Sequence, residues 1–181
     1  STRCGATFAA QPRYFGHRED YWDESSPVTE VVGGRFPLRY GFEPVYEPFA
    51  ENPYLDDFYR DMKQYAFRSQ LYFLTHKFRL HMGLNTQNET VVQDRTIYED
   101  AEIFCTNLHR ARKIDKRDYQ IYMDLYNTMR RALQPPDLLI YLRCPVRTIR
   151  KRIRQRGRNS EQDIPALYLR KLNGLYEDWI E

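Results

Sequence analysis

The stretch PPDLLIYLRCPV (135–146) decides the fold. Its two prolines end whatever element precedes it, Asp137 to Arg143 follows as a near-continuous apolar run, and Pro145 opens the next element. A strand loses its inside/outside alternation when neither face meets water, so this run predicts a parallel strand covered on both faces. Working outward, Thr90-Val91-Val92-Gln93-Asp94 reads as a second buried strand with a polar end, and FEPVYE (42–47) as a short strand stopped by Pro48. Helical periods separate the strands. Asp57 to Leu80 carries Phe67, Leu71, Leu74 and Phe78 at steps of four, three and four, which predicts one long helix with that stripe buried. Further helices are predicted at about 98–111, at about 116–133 with Tyr122, Tyr126, Met129 and Leu133 in phase, after Pro145 with Val146, Ile149 and Ile153, and after Pro165 with Leu169, Leu172, Tyr176 and Trp179. Strands alternating with helices indicate an α/β layered fold around a parallel sheet, and such sheets bind ligands at the carboxyl ends of their strands. Glu47, Asp94 with Arg95, and Arg143 all fall at those ends.

At 181 residues the chain is one domain's worth, long enough to bury a core. Its mean hydropathy is −0.77, and no run approaches the roughly 18 apolar residues of a membrane span. No secretory signal is visible. Cys4, Cys105 and Cys144 lie far apart and make neither a disulfide framework nor a zinc pattern, so a cytoplasmic location is the expectation. The net charge of +3 conceals an uneven distribution. Between Leu138 and Ser160 there are eight basic residues and no acid, leaving 20 basic against 25 acidic residues elsewhere. That basic element should meet something anionic.

Residues 1–41 read as an atypical, irregular segment. They hold Gly5, Gly16, Gly33, Gly34, Pro12, Pro27 and Pro37 without a sustained period. The remaining 42–181 read as the structured domain.

Several groups could carry chemistry, each with a plainer reading beside it. Glu47 could act as a general base toward a hydroxyl, or be an ordinary loop acid. Asp94-Arg95-Thr96 could hold Mg²⁺ and a phosphate together, or be a structural ion pair at a strand–helix junction. Gln70 could read a nucleobase edge through its paired donor and acceptor, or sit on the flank of its helix. Arg152 and Arg156 share a helix face, and Arg158 follows Gly157; the three could clamp a polyphosphate, contact nucleic acid or line a solvated face. His17, His76, His81 and His109 show no metal spacing and read as surface or partly buried residues; Cys105 reads as a small core residue.

Taken together, EPVYEPFAENPYLDDFY (43–59), FRSQLYFLTHKFR (67–79), VVQDRTIYEDAEIF (91–104), PPDLLIYLRCPV (135–146) and RIRQRGRNSEQDIPALYLRKL (152–172) resemble the deoxyribonucleoside kinase family, especially its bacterial deoxyadenosine, deoxyguanosine and deoxycytidine kinases. The resemblance implies a three-layer P-loop-kinase-like fold, ATP and Mg²⁺ as cofactors, a homodimer, and 5′-phosphorylation of a deoxynucleoside in nucleotide salvage. It implies Glu47 as the base at the 5′-hydroxyl, with Asp94 and Arg95 organising Mg²⁺ and the phosphate. It implies Gln70 reading the base, Tyr59 and Glu161 holding the 3′-hydroxyl, and Asp100 setting base preference beside Lys77, where many relatives carry Arg. Arg152, Arg156 and Arg158 match the arginines of a lid over the ATP phosphates. Nucleic acid is the weaker reading of those arginines, and no membrane partner is expected.

The family opens with a central strand and a Walker-type loop, G-x-x-x-x-G-K-[ST], and nothing in 1–41 fits it. The expected fold therefore lacks its first strand, leaving 91–92 and 138–142 without a partner between them, and its last. The alternative function is a non-catalytic nucleoside-binding or assembly subunit.

Overall fold

A computed structural model describes residues 7–11, 43–45, 51–84, 90–157 and 164–181, excepting the side chains of 7–11, 43, 44 and 156. Four strands, β1 (Thr7–Gln11), β2 (Glu43–Val45), β3 (Val91–Asp94) and β4 (Leu138–Tyr141), form one sheet in the order β2-β3-β1-β4. β2 runs parallel to β3, with Val45 opposite Gln93. β1 lies between β3 and β4 and is antiparallel to both, with Phe8 opposite Asp94 and Thr7 opposite Tyr141. β2, β3 and β4 therefore all point the same way, as the sequence predicts for 42–47, 90–94 and 137–143, within shorter bounds.

Two expectations need correction. Thr7–Gln11 belongs to the stretch expected to be irregular, yet it is a central strand that partners both β3 and β4. The remainder of 1–41 lies outside the described residues. Composition reports a segment's own preference, whereas two facing strand edges with unmet backbone donors and acceptors will pair with almost any extended segment. The second correction concerns β4, expected to be covered on both faces. It is the edge strand of the described sheet, and Leu138 and Leu139 are 56% and 40% exposed.

The long helix predicted from 57 to 80 is two helices, α1 (Leu55–Arg60) and α2 (Met62–Leu84). Asp61 separates them with non-helical backbone, and its carboxylate accepts from the N–H groups of Lys63 and Gln64 at 3.0 and 3.2 Å, serving as an N-cap. α3 spans 97–110 as three continuous segments, Ile97–Glu99, a π-helical Asp100–Cys105, and Thr106–Arg110. The Thr106 hydroxyl donates back to the Ala101 carbonyl at 2.9 Å. α4 (Lys116–Arg130) is capped by Asp115, which accepts from Arg117 and Asp118 N–H at 2.8 and 2.9 Å. α5 (Val146–Arg156) ends at Gly157, whose φ of +75° suits glycine, and α6 (Ala166–Ile180) follows Pro165.

The main core joins α1, α2, α3 and α4 through Phe58, Ala66, Leu74, Ile97, Tyr122 and Tyr126. A second cluster seats Ile103 of α3 against Leu172 and Leu175 of α6. Cys105 is a buried free thiol, as expected, while Cys144 is disulfide-bonded, against the expectation of three separate thiols. No helix among the described residues is long and apolar enough to cross a membrane.

Candidate functional site

The face of α2 that meets α3 is not the one its apolar stripe predicts. Leu74 is buried, but Phe67, Leu71 and Phe78 are only partly so. The buried line instead runs through Ala66, Ser69, Gln70, Phe73, Leu74, Lys77 and His81. Four of these are polar. A periodicity reading assigns polar residues to solvent, so a helix that hides polar groups for chemistry is read about one residue out of phase.

Lys77 and Asp100 are the centre of this buried polar line. Lys77 Nζ donates to Asp100 Oδ1 at 2.6 Å, with the two side chains 1% and 4% exposed. Lys77 Nζ also lies 5.5 Å from the centre of the Phe73 ring. Desolvating both charges is expensive, and only close pairing makes it tolerable. Gln70, two turns earlier on α2, is 5% exposed, and its Oε1 has no hydrogen-bond partner. A buried amide oxygen left open is costly without a ligand and useful with one. Ser69 is held by Asn52, whose Nδ2 donates to Ser69 Oγ at 3.0 Å. Tyr59 is half-buried against the main core, its ring 5.1 Å from that of Phe58.

His81 corrects the reading of the histidines as surface or partly buried. It is fully buried, its Nε2 bonds the Gln134 carbonyl at 2.9 Å, and burial lowers its pKa. A carbonyl only accepts, so Nε2 carries the proton and the ring is neutral.

At the carboxyl end of β3, Asp94 and Arg95 are half-buried and the chain turns sharply. Arg95 has φ +58°, the left-handed region, which costs a non-glycine residue about 1–2 kcal/mol. Local bonds hold it there. Gln93 Nε2 donates to the Arg95 carbonyl at 2.9 Å. Thr96 N–H donates to Glu99 Oε2 at 2.9 Å, the Thr96 hydroxyl donates to the same oxygen, and Tyr98 N–H donates to Thr96 Oγ1 at 3.2 Å, which closes a capping box at the start of α3. The Arg95 guanidinium stacks on Phe104 at 4.8 Å. Glu99 is fully buried, and burial pushes its carboxyl up to about 7 against the opposing pull of Thr96 and Lys77.

Among the described residues no group of three or more His, Cys, Asp or Glu could hold a metal by itself. Asp94 is a single carboxylate at a strand end, which fits Mg²⁺ bound jointly with substrate phosphates and water, the ion's usual mode. Arg143, at the end of β4, is already engaged: its guanidinium forks onto Glu177, with Nε at 2.8 Å from Oε1, and Tyr141 donates to the same oxygen at 3.0 Å. On α5, Arg152 is half-buried with Nη1 3.9 Å from Cys144 Sγ, while Arg147, Arg150, Lys151 and Arg154 are exposed. Glu47, Arg158 and Glu161 lie outside the described residues, as does the side chain of Arg156.

The structure therefore brings Lys77 and Asp100 into contact, with Gln70 on the same buried face, and places Asp94 and Arg95 on the turn that opens α3. Sequence reading did not find Glu99, Gln93 or His81 as members of this region. The capping-box spacing Thr96-x-x-Glu99 was a usable signal for the first; nothing in the sequence distinguished the other two.

A family profile described as deoxynucleoside kinase matches residues 29–181. The deoxyadenosine kinase of Dictyostelium discoideum is 35% identical over 136 residues, covering 75% of this chain and 55% of its own length. The deoxyadenosine/deoxycytidine kinase of Bacillus subtilis is 36% identical over 146 residues, covering 78% of this chain and 66% of its own. The chain thus spans between about half and two thirds of these relatives. Among solved structures, deoxyadenosine kinase from M. mycoides with bound dATP superposes with a TM-score of 0.72 at 33% identity, covering 84% of this chain and 78% of that one. The same enzyme with bound dCTP gives 0.74 at 31% identity.

Proposed function

The chain belongs to the deoxynucleoside kinase family, and from that premise we propose that it carries a deoxyribonucleoside site whose reaction in the lineage is ATP-dependent 5′-phosphorylation. The observation that carries this reading is the buried Lys77–Asp100 pair, on the same face of α2 as the open amide oxygen of Gln70. A hydrocarbon core has no use for these groups, whereas a base edge needs convergent donors and acceptors in a dry pocket. Gln70 reads the base through its amide. Asp100, oriented by Lys77, accepts from an exocyclic amine, which favours adenine, cytosine or guanine over thymine. Tyr59 and Glu161 hold the 3′-hydroxyl.

Glu47 withdraws the 5′-hydroxyl proton. Asp94 holds the Mg²⁺ shared with the phosphates, and Arg95 holds the phosphoryl oxygens. Arg152, Arg156 and Arg158 close over the polyphosphate. Mg²⁺·ATP, when bound, supplies the phosphoryl group and offsets part of its negative charge. A homodimer and a cytoplasmic location follow from the resemblance.

One feature favours the second reading, a nucleoside-binding subunit with little turnover. Because β1 is antiparallel, Gln11 lies opposite Val91, the first residue of β3. The chain leaves β1 at the amino end of the parallel strands, the far end from Asp94 and Arg95. In a phosphate-binding strand–loop–helix unit the donor N–H groups follow directly from the carboxyl end of the strand, and the carboxyl end of β1 lies at the opposite end of the sheet from Asp94 and Arg95.

The test has two arms. Calorimetry should give binding of deoxyadenosine, deoxyguanosine or deoxycytidine with thymidine weaker by about tenfold, the scale of one lost hydrogen-bond pair; a clear thymidine preference contradicts the assignment of Asp100. An ATP-dependent assay with nucleosides and nucleoside monophosphates as acceptors should show activity on nucleosides only, in a version carrying a parallel first strand and Walker loop. Preference for monophosphates there would reassign the reaction.

A further inference from the structure

We propose that Glu99 and Gln93 are positioning residues, which together hold Arg95 in its left-handed backbone conformation and so fix its guanidinium against Phe104 at the carboxyl end of β3. The inference rests on the reading above of this strand end as the phosphate side of a nucleoside site.

Arginine does not adopt φ +58° by preference, so the surroundings must impose it. Two side chains bracket the residue. Upstream, Gln93 is 2% exposed and its Nε2 reaches over to the Arg95 carbonyl at 2.9 Å, fixing the peptide that leaves Arg95. Downstream, Glu99 accepts the Thr96 N–H, the other end of that same peptide, and the Thr96 hydroxyl on one oxygen, fixing the peptide to the start of α3. Neither side chain needs to touch a ligand to do this. The π-helical turn begins immediately after Glu99 and carries Phe104, on which the guanidinium rests at 4.8 Å. Phe104 in turn meets Tyr176 of α6 edge-on at 6.3 Å. The arginine is thus held at its backbone by Glu99 and Gln93 and at its head by an aromatic wall. A preset cation loses less freedom on meeting an anionic oxygen than one on a free loop. A buried carboxyl group is more than capping alone requires, since Asp115 caps α4 from an exposed position.

The experiment uses the full chain with Glu99→Ala and Glu99→Gln. A ligand-free readout comes first: ring current from Phe104 should shift the Arg95 Hδ protons upfield in the wild type. Glu99→Ala should move them toward free-arginine values, whereas Glu99→Gln, which keeps an acceptor oxygen for Thr96, should retain most of the shift. Unchanged Arg95 protons in Glu99→Ala would overturn the proposal whether or not a nucleoside binds. The second readout compares a deoxynucleoside with its 5′-monophosphate by calorimetry. Glu99→Ala should weaken the monophosphate by about tenfold, the loss of one charge-assisted contact, and leave the nucleoside within about twofold. On an Arg95→Ala background the same change should have no further effect; an additive loss would mean that Glu99 acts on the fold rather than through Arg95. Should Glu99→Ala fail to fold, Gln93→Leu carries the same two readouts with smaller shifts in the same direction. Failure of the wild type to bind any nucleoside would count against the function proposed for the site while leaving the Arg95 shifts to decide the positioning.

Discussion

Two regions of the molecule, the helical core and the sheet, differ in how closely they are packed. In the first, α2, α3 and α4 enclose Gln70, Lys77, His81, Glu99 and Asp100 in a packed core, with Lys77 and Asp100 paired and His81 and Glu99 each bonded to neighbouring groups. In the second, β1 enters the sheet against the direction of its neighbours, and Leu138 and Leu139 of β4 remain open to solvent. The residues proposed to read the base lie in the first region, whereas Asp94 and Arg95, proposed for the phosphate side, lie at a strand end of the second. The first is built by helix packing near the middle of the chain. The second takes its topology from β1, which runs antiparallel to both neighbours.

The largest expected effect tests that topology. A version with a parallel first strand and a Walker loop should exceed the 181-residue chain in ATP-dependent turnover by about a hundredfold or more, the scale of removing preorganised backbone donors. Comparable rates would show that β1 does not limit the chemistry. In that active version, Glu47→Gln should cut turnover by about a hundredfold or more with modest loss of nucleoside binding, as for a group acting mainly in the transition state.

The next effect lies in the helical core. Asp100→Ala leaves Lys77 buried without its carboxylate and should destabilise the protein by about 3–5 kcal/mol in urea unfolding. The double change Lys77→Met with Asp100→Leu should recover most of that loss. Failure to recover would mean that the pair contributes more than mutual neutralisation.

A smaller effect is a pH dependence. Glu99 has a folded pKa near 7 against an ordinary value of 4.5. Between these values the folded protein binds more protons than the unfolded one, so this group's contribution to stability is full below about 4.5 and is lost as pH rises through about 7. The groups facing it are Thr96 and Lys77, with Asp100 beyond on Lys77 and Tyr98 alongside. His81 works in the opposite sense, since its lowered pKa makes stability rise with pH over its own window. The difference between wild type and Glu99→Gln removes that background: the variant should gain on the wild type from pH 5 to pH 8. A constant gap would place the carboxyl in an ordinary environment. The smallest effect belongs to the exposed Arg143–Glu177 pair, where Glu177→Gln should cost under about 1 kcal/mol and less in high salt.

The sequence was most legible where local chemistry and tertiary placement agree. Helices opened by Pro145 and Pro165, the stop at Gly157, and the buried Tyr122 and Tyr126 of α4 all follow from period and punctuation. The break at Asp61 was also available in the sequence, as an N-cap acid, but the continuous apolar period across it hid the signal. α2 misled because its hidden residues are polar, so a rule that buries apolar groups turned the helix away from Gln70, Lys77 and His81. β1 was not legible at all: TFAAQ carries no alternation, and its place comes from the edges of β3 and β4. The π-helical turn depends on backbone registration that no residue type announces.

The proposed separation of nucleoside binding from Mg²⁺·ATP binding is tested by titrating one sample of the 181-residue chain with a deoxynucleoside and, separately, with Mg²⁺·ATP. Expected is saturable binding of deoxyadenosine, deoxyguanosine or deoxycytidine that is abolished by Asp100→Ala, and binding of Mg²⁺·ATP weaker by about a hundredfold or more, since residues 1–41 carry no Walker-type sequence. Tight Mg²⁺·ATP binding together with no measurable nucleoside binding would contradict it.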